Sequence, residues 1–245
     1  MHPPPVTVVN AGGRSPVVLI CEHASNHIPD SHAGLGLDPA DLLRHIAWDI
    51  GAAALARRLS ALLDAPLFLS GYSRLLIDCN RPPGAATSIP LRSEDTLIPG
   101  NQALSRDEIT RREAAYFAPF QDRIAGFLDA RVAAGQRTTI LGVHSFTPVF
   151  RGVRRSWHAG VLYRDATTLG ARLRDALRAD PALVVGDNEP YRIALDEDYT
   201  VPVHGDQRGI PAALIEVRQD LLATGDGVEA WADRLAAILG HADMP

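Results

Sequence analysis

The apolar residues of this chain fall into two kinds of run. Short, nearly unbroken ones at 16–21 (PVVLIC) and 138–143 (TTILGV) predict strands covered on both faces. Runs at 65–70, 74–78 (RLLID), 158–164 (HAGVLYR) and 213–219 (ALIEVRQ) predict further strands. Longer stretches carry leucine and alanine at helical spacing: 38–63, opened by Asp38-Pro39; 105–134, opened by the capping-box pattern S-R-D-E; 165–179; and about 226–239. Two stretches rich in proline or polar residues, 82–100 and 186–211, predict long loops of the kind that line a site. The alternation implies one α/β domain over residues 1–245, a mostly parallel or mixed central sheet with helices on both faces. In such sheets ligands bind beyond the carboxyl ends of the strands.

Composition narrows the partners. With 245 residues, 46% of them hydrophobic, the chain has material for a sizeable core. A net charge of −5 argues against a nucleic-acid footprint. No apolar run approaches the roughly 18 residues of a membrane span. Prolines stand where a secretion signal needs its apolar centre, so a cytoplasmic location is expected. All 24 cationic residues are arginine, which suits bidentate recognition of carboxylates. Cys21 and Cys79 end apolar runs and read as buried thiols. The glycines of AGGRS (11–15) precede a strand instead of opening a helix, so no phosphate-binding loop is present.

The strand ends carry the chemistry. One ends at Glu22-His23, another at Asp78-Cys79-Asn80-Arg81, a third at His144-Ser145, and the last contains Glu216. Metal-assisted amide hydrolysis needs three protein ligands, a carboxylate to move the proton of water, and a cation for the developing oxyanion. His23 and His144, the carboxylates Glu22, Asp49 and Glu216, and Arg81 supply that set. Plainer readings stand beside it: a capped histidine at 23, a solvated helix face at Asp49, a turn at Asn80-Arg81, and a structural pair of Glu216 with Arg218 or Arg208.

The segments CEHASNHIP, GYSRLLIDCNRP, GVHSFTP, GDNEPY, VPVHGDQRGIP and LIEVRQDL, in this order from about residue 15 to 240, resemble the N-formylglutamate amidohydrolase family. That family is similar in fold to the zinc carboxypeptidases, which implies a carboxypeptidase-like domain with one Zn2+ per chain. The resemblance implies His23 and His144 as zinc ligands and Glu216 as the base that activates water. It implies Arg81 at the scissile carbonyl, Asn80 orienting the substrate, Arg74 on its α-carboxylate and His204 near one end of it. The carboxypeptidase pattern's glutamate falls here on Asn26; Asp49, in the AWD segment, is similar to an aspartate that recurs in the family, which implies it as third ligand, with Glu22 in reserve. Glu22-His23-Ala24-Ser25 replaces the Pro-His-Ser-Gly of the better-known enzymes, the mark of a divergent branch. The implied activity is hydrolysis of the amide of a small N-acyl amino acid, foremost N-formyl-L-glutamate to formate and L-glutamate. The alternatives are a carboxypeptidase-like or other N-acyl-amino-acid hydrolase, or a non-catalytic metabolite-binding homologue. Arg92, Arg192 and Arg208, in or beside the long loops, favour an acidic side chain on the ligand.

Overall fold

Two-residue alternation in the strands sorts the chain into two cores, one on each face of a sheet. The structure is a computed structural model that describes residues 3–164 and 168–240. Seven strands build the sheet: β1 (Val6–Val9), β2 (Val17–Cys21), β3 (Leu67–Ser70), β4 (Thr139–Phe146), β5 (Ala159–Leu162), β6 (Val185–Asp187) and β7 (Ala212–Arg218). Their order is β1-β3-β2-β4-β7-β5-β6. The four central strands β3, β2, β4 and β7 run parallel, while β1 and β5 lie antiparallel to their inner neighbours. The predicted mixed α/β domain with covered faces is what the chain adopts.

Helices α1 (Ala52–Leu63), α4 (Thr168–Arg178) and α5 (Gly225–Leu239) cover one face. Their Leu55, Leu59, Leu173, Trp231 and Leu235 pack on Leu19, Leu141, Val143, Ile215 and Val217. Helix α3 (Ala118–Ala133) covers the other, where Phe120, Ile124 and Leu128 meet Val18, Ile20, Ile140 and Leu214. Among the described residues no helix is long and apolar enough to cross a membrane.

The same alternation aims the chemistry. His144 follows Ile140 and Gly142 on the α3 face of β4, and Glu216 follows Ala212 and Leu214 on the same face of β7. The parallel register sets Glu216 directly beside His144. Gly142 makes room below them: a Cβ there would stand 2.2 Å from the Leu214 side chain.

Several expectations differ from the structure. The helix predicted from residue 38 begins only at Ala52. Gly51 sits at φ 84, a left-handed conformation that breaks a helix, and the Asp49 N–H donates to the His23 carbonyl at 3.0 Å. Residues before it form turns, tied by Arg44 to Asp41, Thr96 and Glu94. RLLID is not a strand: the Ser73 hydroxyl accepts from the Leu75 N–H and donates to the Ala47 carbonyl, which curls the segment into a turn. The long helix from 105 is α2 (Arg106–Arg112) continuing through a π turn, Glu113–Phe117, into α3; Ser105 caps it by accepting from the Glu108 N–H. Edge strands β1 and β6 were not expected: both are short, and β1 follows directly on prolines. The first positions of the predicted helix at 165–179, residues 165–167, lie outside the described residues.

Candidate active site

Three side chains converge where β2 and β4 end. Nδ1 of His144 lies 2.8 Å from Oδ2 of Asp49, and Nδ1 of His23 lies 3.3 Å from the same oxygen. All three residues are buried, with one donor atom from each inside a 4.8 Å spread. The outer ring nitrogens meet other carboxylates: Nε2 of His23 lies 2.7 Å from Asp78 Oδ1, and Nε2 of His144 lies 3.1 Å from Glu22 Oε2. Carboxylate support behind a histidine fixes the ring and leaves its inner nitrogen free for a cation.

The electrostatics agree with a cation site. Glu22, Asp49, Asp78 and Glu216 bring four carboxylates into one buried region, with Arg74 as its nearby fixed cation. Burial works against charge on His144, yet Glu22 and Asp49 outweigh it and hold its pKa well above the ordinary histidine value. Burial also opposes charge on Asp49, but His23 and His144 keep its carboxyl below the usual carboxylate range. The carboxylates around His23 and His144 favour positive charge on both rings, and a divalent ion held by this cluster would supply that charge in place of protons. Two neutral imidazoles and a carboxylate are a donor set that metals of the zinc class accept. The residues therefore fit a metal ion.

Glu216 stands apart from that cluster, on the neighbouring strand. Burial pushes its carboxyl up to about 7, and its Oε2 is buried with no hydrogen-bond partner among the described residues. Neither structural pairing holds: Arg218 bonds Asp220, and Arg208 bonds Asp129. A carboxyl poised near neutrality beside a metal cluster suits proton transfer.

The two arginines of the 71–82 motif part company. Arg74, expected at the substrate's carboxylate, lies beside the cluster: NH1 is 3.2 Å from His23 Nδ1, and NH2 is 2.9 Å from Asp78. Arg81, expected at the carbonyl, bonds Asp198 at 2.9 Å and the Glu197 carbonyl. Asn80 spends its side-chain oxygen on the N–H groups of Tyr199 and Thr200. All three line a cleft of about 510 Å³ together with His23, Asp49, His144 and Glu216. The loops expected to wall it do so, through Arg92 and Glu94 on one side and Tyr191 and Asp198 on the other.

His204 is not brought to the cleft. It is 1% exposed, with Nε2 2.7 Å from Gln121 Oε1, and the Gln121 amide in turn donates to the Cys79 carbonyl. Its π turn, Thr200–Gly205, buries the ring where sequence reading placed a polar loop. The structure also gives three residues supporting contacts that the sequence does not assign. Asp78 supports His23, Asp198 holds Arg81, and Thr200 donates to Glu22 and so braces His144. The signal for Asp78 was its place four residues after Arg74 at the end of an apolar run; local sequence carries none for Asp198 or Thr200.

Burial pulls the pKa of His204 down to about 4 from 6.5. The unfolded chain therefore takes up the proton first, and stability is full above about pH 6.5 and declines as pH falls toward 4. A shift of that size corresponds to about 3 kcal/mol. In chemical denaturation between pH 7 and pH 4, the wild-type chain should lose about that much more stability than His204→Gln. Parallel curves contradict this account of the buried ring.

A cleft that joins a metal-fitting cluster to a carboxyl near neutrality, at the carboxyl edge of an α/β sheet, marks a hydrolase. The N-formylglutamate amidohydrolase family matches residues 15–223, and the chain belongs to that family, whose members cut an amide bond. Among solved structures, the gene product Atu2144 from Agrobacterium tumefaciens is 38% identical, covering 97% of this chain and 94% of its own, with a TM-score of 0.91. N-formylglutamate amidohydrolase from Ralstonia eutropha JMP134 is 19% identical over 96% and 95%, with a TM-score of 0.67, and supports the shared fold. No curated protein matches.

Proposed function

We propose that the chain is a zinc-dependent amidohydrolase of small N-acyl amino acids, with N-formyl-L-glutamate, cut to formate and L-glutamate, as the leading substrate. The observation that carries this reading is the pair of Nδ1 atoms sharing one Asp49 oxygen, each ring backed by its own carboxylate. His23, Asp49 and His144 would hold the ion, and Glu22 is an outer support, not the third ligand. Zinc bound there supplies a Lewis acid that polarises the scissile carbonyl and acidifies water.

The chain's own groups do the rest. Glu216 takes the proton of the attacking water and returns it to the leaving amine nitrogen. Arg74, at the edge of the cluster, stabilises the charge that develops on the carbonyl oxygen. Arg81, held by Asp198, receives the α-carboxylate with the part of its guanidinium fork that Asp198 leaves open. This exchanges the parts the resemblance implies for the two arginines. Asn80 acts by pinning the 198–200 backbone, and His204 by holding Gln121 beneath Cys79.

Zinc-loaded protein should release formate from N-formyl-L-glutamate, lose that activity to a chelator, and regain it with added zinc. Activity that survives complete removal of metal counts against zinc dependence. A panel of N-acyl amino acids left entirely intact by loaded protein counts against the hydrolase.

A further inference from the structure

The carboxylates that back the two histidines are themselves joined. Asp78 Oδ1, 2.7 Å from Nε2 of His23, also accepts from the backbone N–H of Asn80 at 2.9 Å. The side-chain oxygen of Asn80 accepts from the Thr200 N–H at 3.0 Å, and the Thr200 hydroxyl donates to Glu22 Oε1. The other Glu22 oxygen lies 3.1 Å from Nε2 of His144. Both histidines meet Asp49 Oδ2 through Nδ1. The contacts therefore close into a ring, which runs from His23 through Asp78, Asn80, Thr200 and Glu22 to His144 and returns at Asp49.

The ring draws on distant segments. Glu22 and His23 follow β2, His144 lies within β4, Asp78 and Asn80 stand in the turns after β3, and Thr200 opens the π turn Thr200–Gly205. Two other contacts hold that turn against the 78–81 segment: the Tyr199 N–H donates to the Asn80 carbonyl at 3.1 Å, and Arg81 bonds Asp198 at 2.9 Å. Neither uses the Thr200 hydroxyl. The turn thus has a hold of its own, and the hydroxyl is spent on Glu22 alone.

Thr200 is fully buried and Glu22 is 1% exposed, so bulk water does not reach this contact. A carboxylate held at both oxygens keeps one orientation. Left with one oxygen unsatisfied in the interior, it turns toward another donor, and the imidazole it backs loses its aim. Neither Asn80 nor Thr200 belongs to the His23–Asp49–His144 cluster. We infer that Asn80 and Thr200 are positioning residues of the metal site, which tie Asp78 to Glu22 and so set both proposed ligand rings as one unit. This rests on the reading given under Proposed function and adds the pair that orients the ligands without touching the ion.

The test is the zinc affinity of the full-length protein, measured by competition with a chromophoric chelator, beside the visible spectrum of the cobalt-substituted protein. Thr200→Val keeps the shape of the side chain and removes its donor. It should weaken zinc binding about 10- to 100-fold and shift the cobalt bands, whereas Thr200→Ser, which restores the donor, should match wild type in both. Asn80→Ala should weaken zinc as well, and it carries the same two measurements if Thr200→Val does not fold. Because both changes interrupt one chain of contacts, the double variant should lose less affinity than the product of the two single losses. Wild-type affinity or unshifted cobalt bands in folded Thr200→Val, an equal loss in Thr200→Ser, or losses that multiply in the double variant each overturn the inference and leave the hydrolase reading intact. A wild-type protein that takes up no zinc overturns both.

Discussion

Glu216→Gln should abolish turnover while zinc stays bound. The glutamine side chain has nearly the same shape but cannot accept and return a proton, so the expected loss in kcat is about 10²- to 10⁴-fold. Three features support this residue as the proposed base. It sits on β7 in register with His144 on the adjacent strand, so the proposed proton carrier and one proposed ligand stand side by side in one sheet. Burial raises its carboxyl to about 7, where a group both accepts and releases a proton readily. One of its oxygens is buried with no partner among the described residues, and the residue lines the cleft. Because Glu216 is not in the His23–Asp49–His144 cluster, metal content should not change. Kinetics of the variant beside its zinc content decide the matter. A Glu216→Gln protein that still hydrolyses substrate places the base elsewhere, and one that has lost its zinc makes Glu216 a ligand.

The second large effect belongs to His144. Its two ring nitrogens stand between Asp49 at 2.8 Å and Glu22 at 3.1 Å. In His144→Ala both carboxylates remain buried, facing each other with no group of opposite charge between them. Removing one partner of a buried charged pair typically costs about 3–5 kcal/mol. Loss of an outer-shell partner alone weakens metal binding about 10- to 100-fold, so loss of a ligand should exceed that. The variant should therefore lose both its zinc and a large part of its stability, and added zinc should raise the melting temperature of wild type but not of the variant. A variant that titrates with one zinc at wild-type affinity removes His144 from the site.

Legibility tracked distance along the chain. The strand-end histidines and Glu216 could be read from sequence because each lies within or directly after a strand, where two-residue alternation and a buried neighbour identify the face. Asp49 stands out only through its motif, because periodicity places it mid-helix. Only the fold shows that Gly51 ends the irregular stretch and that the His23 carbonyl anchors Asp49. Arg74 and Arg81 both line the cleft, but their placement depends on how RLLID turns, and that turn is set by the Ser73 hydroxyl and the distant Ala47 carbonyl. His204 was misplaced for a related reason: its π turn packs against α3 through Gln121, a residue 83 positions away. Thr200 and Asp198 act on Glu22 and Arg81 across 178 and 117 positions, and no local pattern encodes such pairings.

The central claim is that two histidines and an aspartate hold a single zinc. Its most direct test is the metal content of the purified chain by mass spectrometry, after stripping with a chelator and reloading with zinc. About one tightly held zinc per chain is the predicted result. A folded chain that retains none contradicts the account, because four buried carboxylates around two histidines would then need another explanation.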